Sequence, residues 1–224
     1  FITHYMNWTQ REVAVLFGDA CGAVVIEASE SETGMIAAKI GCESEAKYAI
    51  QITNIGSGYS RLTDDFLYNA WNFEGQEVFK RAVKAMAQAS EDVLKQAGMS
   101  LDNIKLVVPH QANKRILNAL AKRIGIDEDK VFVNVHKYGN TSAGTIPVAL
   151  AEALEEKRIE PGDHILMASF GAGLTYGASL IKWGDRVVPL KSSDAKLPPC
   201  EKTALELIAA HIERYKTRDL SSTS

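Results

Sequence analysis

Apolar and polar positions change period several times along this chain, and each change marks an element. Between residues 77 and 97, Val78, Phe79, Ala82, Met86, Ala89, Val93 and Leu94 recur at spacings of three and four. That spacing predicts a long helix with one apolar face, which Gly98 closes as a C-terminal cap. From there the pattern alternates: a strand over 106–108, a helix over 112–123, a strand over 131–135 and a helix over 142–156. Two further strands, 165–170 and 175–181, are joined through Gly171-Ala172-Gly173. Upstream, β-branched runs at 12–17 and 22–27 flank a Gly/Asp segment and predict two strands around a turn. Residues 35–40 predict another strand. Residues 42–74 have weak periodicity and predict loops, through which Tyr59, Phe66, Tyr68, Trp71 and Phe73 are scattered.

Apolar strands alternating with helices predict an α/β fold whose sheet is buried on both faces. The final strand–glycine–strand run would close that layer antiparallel. After Trp183 the character changes. Residues 184–200 hold Pro189, Pro198 and Pro199 among charges and predict a linker. Residues 201–215 predict an amphipathic helix with Leu205, Ile208 and Ile212 on one side, and the Ser/Thr-rich end beyond is expected to be disordered. The expected division is therefore 1–74, 75–183 and 184–224. The chain opens Phe-Ile-Thr-His and enters core-like sequence almost at once, so it is expected to be part of a longer polypeptide.

Composition removes several function classes. The 224 residues are 46% hydrophobic, enough for a substantial core, and the net charge of -3 gives no general attraction to nucleic acid or an anionic membrane. Cys21, Cys42 and Cys200 are widely spaced and fit neither a disulfide framework nor a zinc site, which points to a reducing, cytoplasmic setting. His4, His136, His164 and His211 show no ligand spacing, so no metal is expected. No apolar run approaches membrane-spanning length, and no signal peptide is evident.

The candidate chemistry lies in two junctions, Val108-Pro109-His110-Gln111-Ala112-Asn113 and Tyr138-Gly139-Asn140-Thr141-Ser142-Ala143. Each joins a strand-like run to a helix-like run and puts one polar side chain at the joint. A neutral imidazole and a carboxamide are both good donors. Two donors converging on one point hold a carbonyl oxygen as it becomes negative. Singly, His110 also reads as a buried histidine satisfied by backbone, and Asn140 as a helix N-cap. The pair favours catalysis, with Thr141 or Ser142 taking the cap instead.

These motifs, with Leu16-Phe17-Gly18-Asp19, residues 72–83 (NFEGQEVFKRAV) and Phe170-Gly171-Ala172-Gly173-Leu174-Thr175-Tyr176-Gly177, occur in one order with characteristic gaps. In them, residues 1 to about 183 resemble the C-terminal two-thirds of the β-ketoacyl-[acyl carrier protein] synthase III family, which are thiolase-like condensing enzymes. The resemblance implies a layered αβαβα fold, here an incomplete N-terminal half and a complete C-terminal half. It implies catalytic roles for His110 and Asn140, an oxyanion-binding backbone amide at Ala172, and Phe170 as a wall of the site. It places Gly75, Phe79 and Asn113 in a tunnel for the phosphopantetheine arm and Arg115 at its mouth. Lys80, Lys114, Arg115, Lys122 and Arg123 would form a patch for an acidic acyl carrier protein. Judged singly, the lysines and Arg123 read as ordinary solvated helix faces.

The implied substrates are acyl-coenzyme A and malonyl-[acyl carrier protein], with no permanently bound cofactor and a homodimer expected. The family's nucleophilic cysteine lies upstream of the Phe-Gly-Asp motif, so the missing N-terminal portion of the same protein would supply it, and this piece alone is expected to be inactive. Cys21 reads as a turn residue, and Cys42 and Cys200 as incidental. The extension from Gly184 departs from the family as expected from its usual length. Competing readings are a secondary-metabolism acyltransferase of the same fold and a non-catalytic partner subunit. Retention of both His110 and Asn140 argues against the subunit.

Overall fold

The alternation of side chains along a strand decides how this sheet is covered. In the computed structural model, which describes residues 2–3, 6–52, 71–188, 194–196 and 198–217, six strands form: β1 (Gly34–Cys42), β2 (Ile50–Ile52), β3 (Trp71–Phe73), β4 (Leu106–Pro109), β5 (His164–Gly171) and β6 (Thr175–Lys182). The helices are α1 (Arg11–Ala14), α2 (Gly75–Ala97), α3 (Lys114–Ile124), α4 (Val135–Tyr138), α5 (Thr145–Glu155) and α6 (Ala204–Lys216). A four-stranded sheet runs β1-β6-β5-β4, with β4 and β5 parallel and the other pairs antiparallel. On one face Val107, Leu166, Ala168 and Leu180 join the core made with α2 and α3. On the other, Leu106, Val108 and Ile165 pack with Ala149, Leu150 and Ala153 of α5. Adjacent residues of β4 and β5 thus serve opposite cores, as the doubly buried sheet predicts.

The long helix forms where its apolar spacing places it, and Gly98 closes it in the left-handed conformation at φ 64°. Asn113 caps α3, accepting the Ile116 N–H at 2.9 Å, so that helix begins two residues later than its apolar pattern predicts. The C-terminal helix α6 is held at its start by a reciprocal Thr203–Glu206 capping box.

Several expectations need correction. Residues 12–17 form the short turn of α1 and a single bridge from Phe17 to Asn140. Residues 22–27 join no strand among the described residues, and Val24, Val25 and Ile26 are 67%, 96% and 88% exposed. A β-branched run becomes a strand only where a neighbour completes its ladder. The 42–74 loop contains β2 paired with β3, while Tyr59, Phe66 and Tyr68 lie outside the described residues, as do His4, Pro189 and the Ser/Thr-rich end. The 131–135 strand reduces to one bridge, Val107 to Val131, before the chain turns into α4. Residues 142–144 form a 3-10 turn, with Ser142 at φ 56°, and α5 starts only at Thr145.

Glycine is required where the Phe-Gly-Asp turn meets the Asn140 loop. The Asn140 N–H donates to Leu16 O at 2.8 Å, and the Gly18 N–H returns to Asn140 O at 3.1 Å. A Cβ on Gly18 would stand 2.1 Å from Tyr138 O. Gly139, at φ 68°, lets the chain turn against the same segment. Gly18→Ala must therefore push the two loops apart. We expect it to destabilise the full-length protein by roughly 1–3 kcal/mol, read as a lowered midpoint in thermal or denaturant unfolding.

Candidate active site

His110 follows the last residue of β4. Its N–H extends the parallel pairing to Ala168 O at 2.7 Å, which fixes the residue just beyond the end of the sheet. Asn140 sits in the loop between α4 and α5, tied to Leu16 and Gly18 as described above. Both residues line one cavity of about 620 Å³. Phe170, Ala172 and Asn113 line it too, with Val78, Ala82 and Met86 from a single face of α2.

The two side chains are also linked to each other. Asn140 Oδ1 accepts the Ser142 N–H at 2.9 Å. That bond occupies the amide's oxygen and leaves its NH2 group as the end available to a ligand. The Thr145 hydroxyl lies 3.0 Å from Ser142 O and 2.6 Å from His110 Nδ1. A hydrogen-bonded path therefore runs from the Asn140 carboxamide through Ser142 and Thr145 to the imidazole, leaving Nε2 as the ring nitrogen open to a ligand. The threonine hydroxyl has one proton and two acceptors in reach. Turned to Ser142 O, it accepts from a protonated Nδ1 and leaves Nε2 basic. Turned to Nδ1, it leaves the proton on Nε2, which then donates.

Burial pushes the His110 pKa down from 6.5 to about 4. The ring is therefore neutral at pH 7. Its surroundings account for this: Thr145 is itself 3% exposed and Phe170 8%, and no carboxylate lines the cavity among the described residues.

The glycine loop that carries Ala172 is anchored from outside the cavity. Glu43 and Leu174 exchange backbone bonds, N–H to O, at 2.8 and 3.3 Å. Arg81 holds the Glu43 carboxylate at 2.6 Å and that of Glu77 at 2.6 Å. Ala172 lines the cavity and is exposed.

The other expected positions are more scattered. Gly75 is the exposed first residue of α2, and Phe79 lies a helical step round from Val78, packed on the core; neither lines the cavity. Asn113 lines it while its side-chain oxygen caps α3. Lys80, Lys114, Arg115, Lys122 and Arg123 are all exposed and form no ion pair among the described residues. Lys114 borders a separate groove of about 670 Å³ beyond α3, which contains neither His110 nor Asn140. Sequence reasoning passed over Val78, Ala82 and Met86, although their spacing of four gave a signal. It also passed over Thr145, for which no local pattern exists.

Residues 94–183 match the family model described as 3-oxoacyl-[acyl-carrier-protein] synthase III C terminal, and residues 1–44 match 3-oxoacyl-[acyl-carrier-protein] synthase III. A β-ketoacyl-[acyl-carrier-protein] synthase III 2 of Vibrio cholerae is 48% identical over 215 residues, covering 96% of this chain and 59% of the relative. A synthase III of Roseiflexus castenholzii is 44% identical over 186 residues, 81% of this chain and 56% of its own length. The crystal structure of a synthase III from Thermus thermophilus superposes with a TM-score of 0.71 at 38% identity, covering 81% of this chain and 56% of that one. The chain thus spans about 60% of the curated relatives' length. The Vibrio match is too long to stop at Trp183, so at least part of the extension after it is shared with that relative. With its α/β sheet in the thiolase-like arrangement, the chain belongs to the 3-oxoacyl-[acyl-carrier-protein] synthase III family.

Proposed function

We propose that the protein carrying this chain is a condensing acyltransferase that joins an acyl-coenzyme A to malonyl-[acyl carrier protein], giving 3-oxoacyl-[acyl carrier protein] and starting fatty-acid synthesis. The observation that carries this reading is the pair of potential donors, His110 and Asn140, lining one largely apolar cavity and tied together through Ser142 and Thr145.

In the first step a cysteine thiolate takes the acyl group and coenzyme A leaves. Among the described residues no cysteine lines the cavity, and Cys21, Cys42 and Cys200 are exposed. We assign the nucleophile to polypeptide outside these 224 residues, consistent with the greater length of the relatives. The tetrahedral intermediate of this step takes the Ala172 N–H as one of its oxyanion donors. Phe170 walls the site and keeps water away.

In the second step the malonyl thioester loses carbon dioxide. The electron pair of the broken C–C bond becomes an enolate, whose charge rests on the thioester oxygen. His110 Nε2–H and Asn140 Nδ2–H donate to that oxygen. This needs the Thr145 hydroxyl turned from Ser142 O to Nδ1, so that the ring proton stands on Nε2 and Asn140 stays held by the Ser142 N–H alone. The enolate carbon then attacks the acyl-cysteine carbonyl, and the thiolate is expelled. A neutral His110 suits the task, since an imidazolium would tend to protonate the enolate before it attacked. The pantetheine arm runs past Asn113 along the α2 face, and the Lys80, Lys114, Arg115, Lys122 and Arg123 surface meets the acidic carrier protein. No permanent cofactor is needed, because coenzyme A enters as a thioester substrate. The protein works as a homodimer, and residues 1–74, 75–183 and 184–224 form the remainder of the N-terminal half, the C-terminal half and the appended segment. No described helix is long and apolar enough to cross a membrane.

His110→Ala and Asn140→Ala, made in full-length protein, are each expected to slow carbon dioxide release from malonyl-[acyl carrier protein] by about 10²–10³-fold. Acylation of the cysteine, followed by mass spectrometry, should fall much less. Equal loss of both steps would overturn the division of roles.

Stability should carry the signature of the depressed imidazole. An unfolded histidine takes up a proton near pH 6.5, whereas folded His110 does so only at about 4. Between those values the unfolded state binds more protons, so stability rises with pH. His110's contribution is complete above pH 6.5 and is lost as the pH falls toward 4, amounting to about 3 kcal/mol. Denaturant unfolding at intervals across that range should show a shallower pH slope for His110→Asn than for the parent.

A further inference from the structure

We propose that Gln111 is a positioning residue that sets the separation of the two donors, an inference that rests on the decarboxylating role given to His110 and Asn140. Gln111 lies between His110 and the cavity-lining Ala112, yet it does not line the cavity itself. It is 1% exposed and, among the described residues, the one polar member of the largest fully buried side chains.

A primary carboxamide has two N–H donors and two acceptor lone pairs. Gln111 uses them all on backbone. Its Nε2 donates to Pro109 O at 2.9 Å and to Phe132 O at 3.0 Å. Its Oε1 accepts from Asn134 N at 3.0 Å and from Val135 N at 3.2 Å. The first bond grips the residue before His110. The other three grip the segment that enters α4, whose far end leads through Gly139 into Asn140. The last two satisfy N–H groups at the start of α4, so Gln111 acts as that helix's cap from a different element. Pairing beside β4 stops after one bridge because the next ladder donor would be the N–H that Pro109 lacks, and Gln111 takes its place. The carboxamide occupies the carbonyl and N–H groups that a longer ladder would use.

The clamp is secured on its outer side. Asn134, 2% exposed, donates through Nδ2 to Glu152 Oε2 at 2.8 Å on α5. Burial raises the Glu152 pKa, but bonds from Lys137 and Asn134 outweigh it and hold the carboxyl below its ordinary value. The α4 segment is thereby fixed between Gln111 and α5. His110 moves with Pro109, and Asn140 moves with α4. Gln111 is the side chain bonded to both.

The test uses full-length protein carrying Gln111→Met, which keeps the side chain's bulk and removes its four bonds, and Gln111→Glu, which keeps an oxygen for the Asn134 and Val135 N–H groups but puts a second oxygen where the NH2 donates to Pro109 and Phe132. His110→Ala and Asn140→Ala run alongside. Malonyl decarboxylation, cysteine acylation and the KM for acyl-coenzyme A are measured separately on folded protein. Misplacing a catalytic group by about 1 Å costs up to about 10²-fold. We expect Gln111→Met to lower the decarboxylation kcat by about 10–10²-fold, Gln111→Glu by less, with acylation and the KM nearly unchanged. Should the methionine variant fail to fold, the glutamate variant decides alone. Parallel loss of acylation and decarboxylation, or loss of neither, overturns the clamp. If His110→Ala and Asn140→Ala themselves leave decarboxylation intact, the functional reading fails instead, and the two failures are told apart.

Discussion

Everything proposed for this chain depends on one short run of polar contacts, from the Asn140 carboxamide through Ser142 and the Thr145 hydroxyl to His110 Nδ1. Polar groups buried without partners are costly, and buried groups with partners become rigid. The path satisfies the inward-facing acceptor of Asn140 and one ring nitrogen of His110. What remains unsatisfied at each end is one polar group in the same cavity. That is a pre-organised pair of potential donors: two groups held in place before any charge forms. Ser142 at φ 56° is the strained residue in the path. Its conformation presents N–H to Asn140 Oδ1 and brings C=O within reach of the Thr145 hydroxyl, so local backbone strain is offset by the Asn140 bond and, when the hydroxyl turns to Ser142, by a second one.

The apolar lining gives those donors their strength. Val78, Ala82, Met86 and Ile116 face the cavity from α2 and α3. Few groups there compete with a developing oxyanion, and the local dielectric is low. The same surroundings depress the imidazole pKa to about 4. One physical cause, desolvation, both keeps His110 neutral and makes its hydrogen bond stronger. An acidic neighbour would have raised the pKa and lost that benefit, and no carboxylate lines the cavity among the described residues.

Much of this was legible in the sequence, for particular reasons. β4, β5, β6 and α2 were readable because their apolar periods are long and agree with their burial. His110 and Asn140 were readable because each marks a change of period. The 131–135 strand was misread because its β-branched residues do suit a strand. The neighbouring strand, however, has Pro109 where the next ladder N–H is needed, and the Gln111 side chain takes up the backbone groups left over. Residues 22–27 were misread for the complementary reason: strand propensity needs a partner, and propensity alone does not reveal whether one exists. Thr145 has no periodic signature. Its importance is a distance to His110, and only coordinates supply it.

These misreadings share a cause that bears on how such a site is built. His110 is carried by the sheet and is fixed by main-chain pairing to β5. Asn140 is carried by a loop, and loops have no ladder to set their position. The proposed mechanism asks for both within one oxyanion's reach, so other constraints must replace the missing ladder. Here the replacement comes from several sides: Leu16 and Gly18 backbone beside the loop, the Thr145 hydroxyl at the start of α5, and Glu152 further along α5. Each constraint is short-range, and each uses a small or polar residue at a position where periodicity predicts nothing. The residues that position the donors are therefore the ones least visible in a hydrophobic pattern, while the elements they position are the most visible.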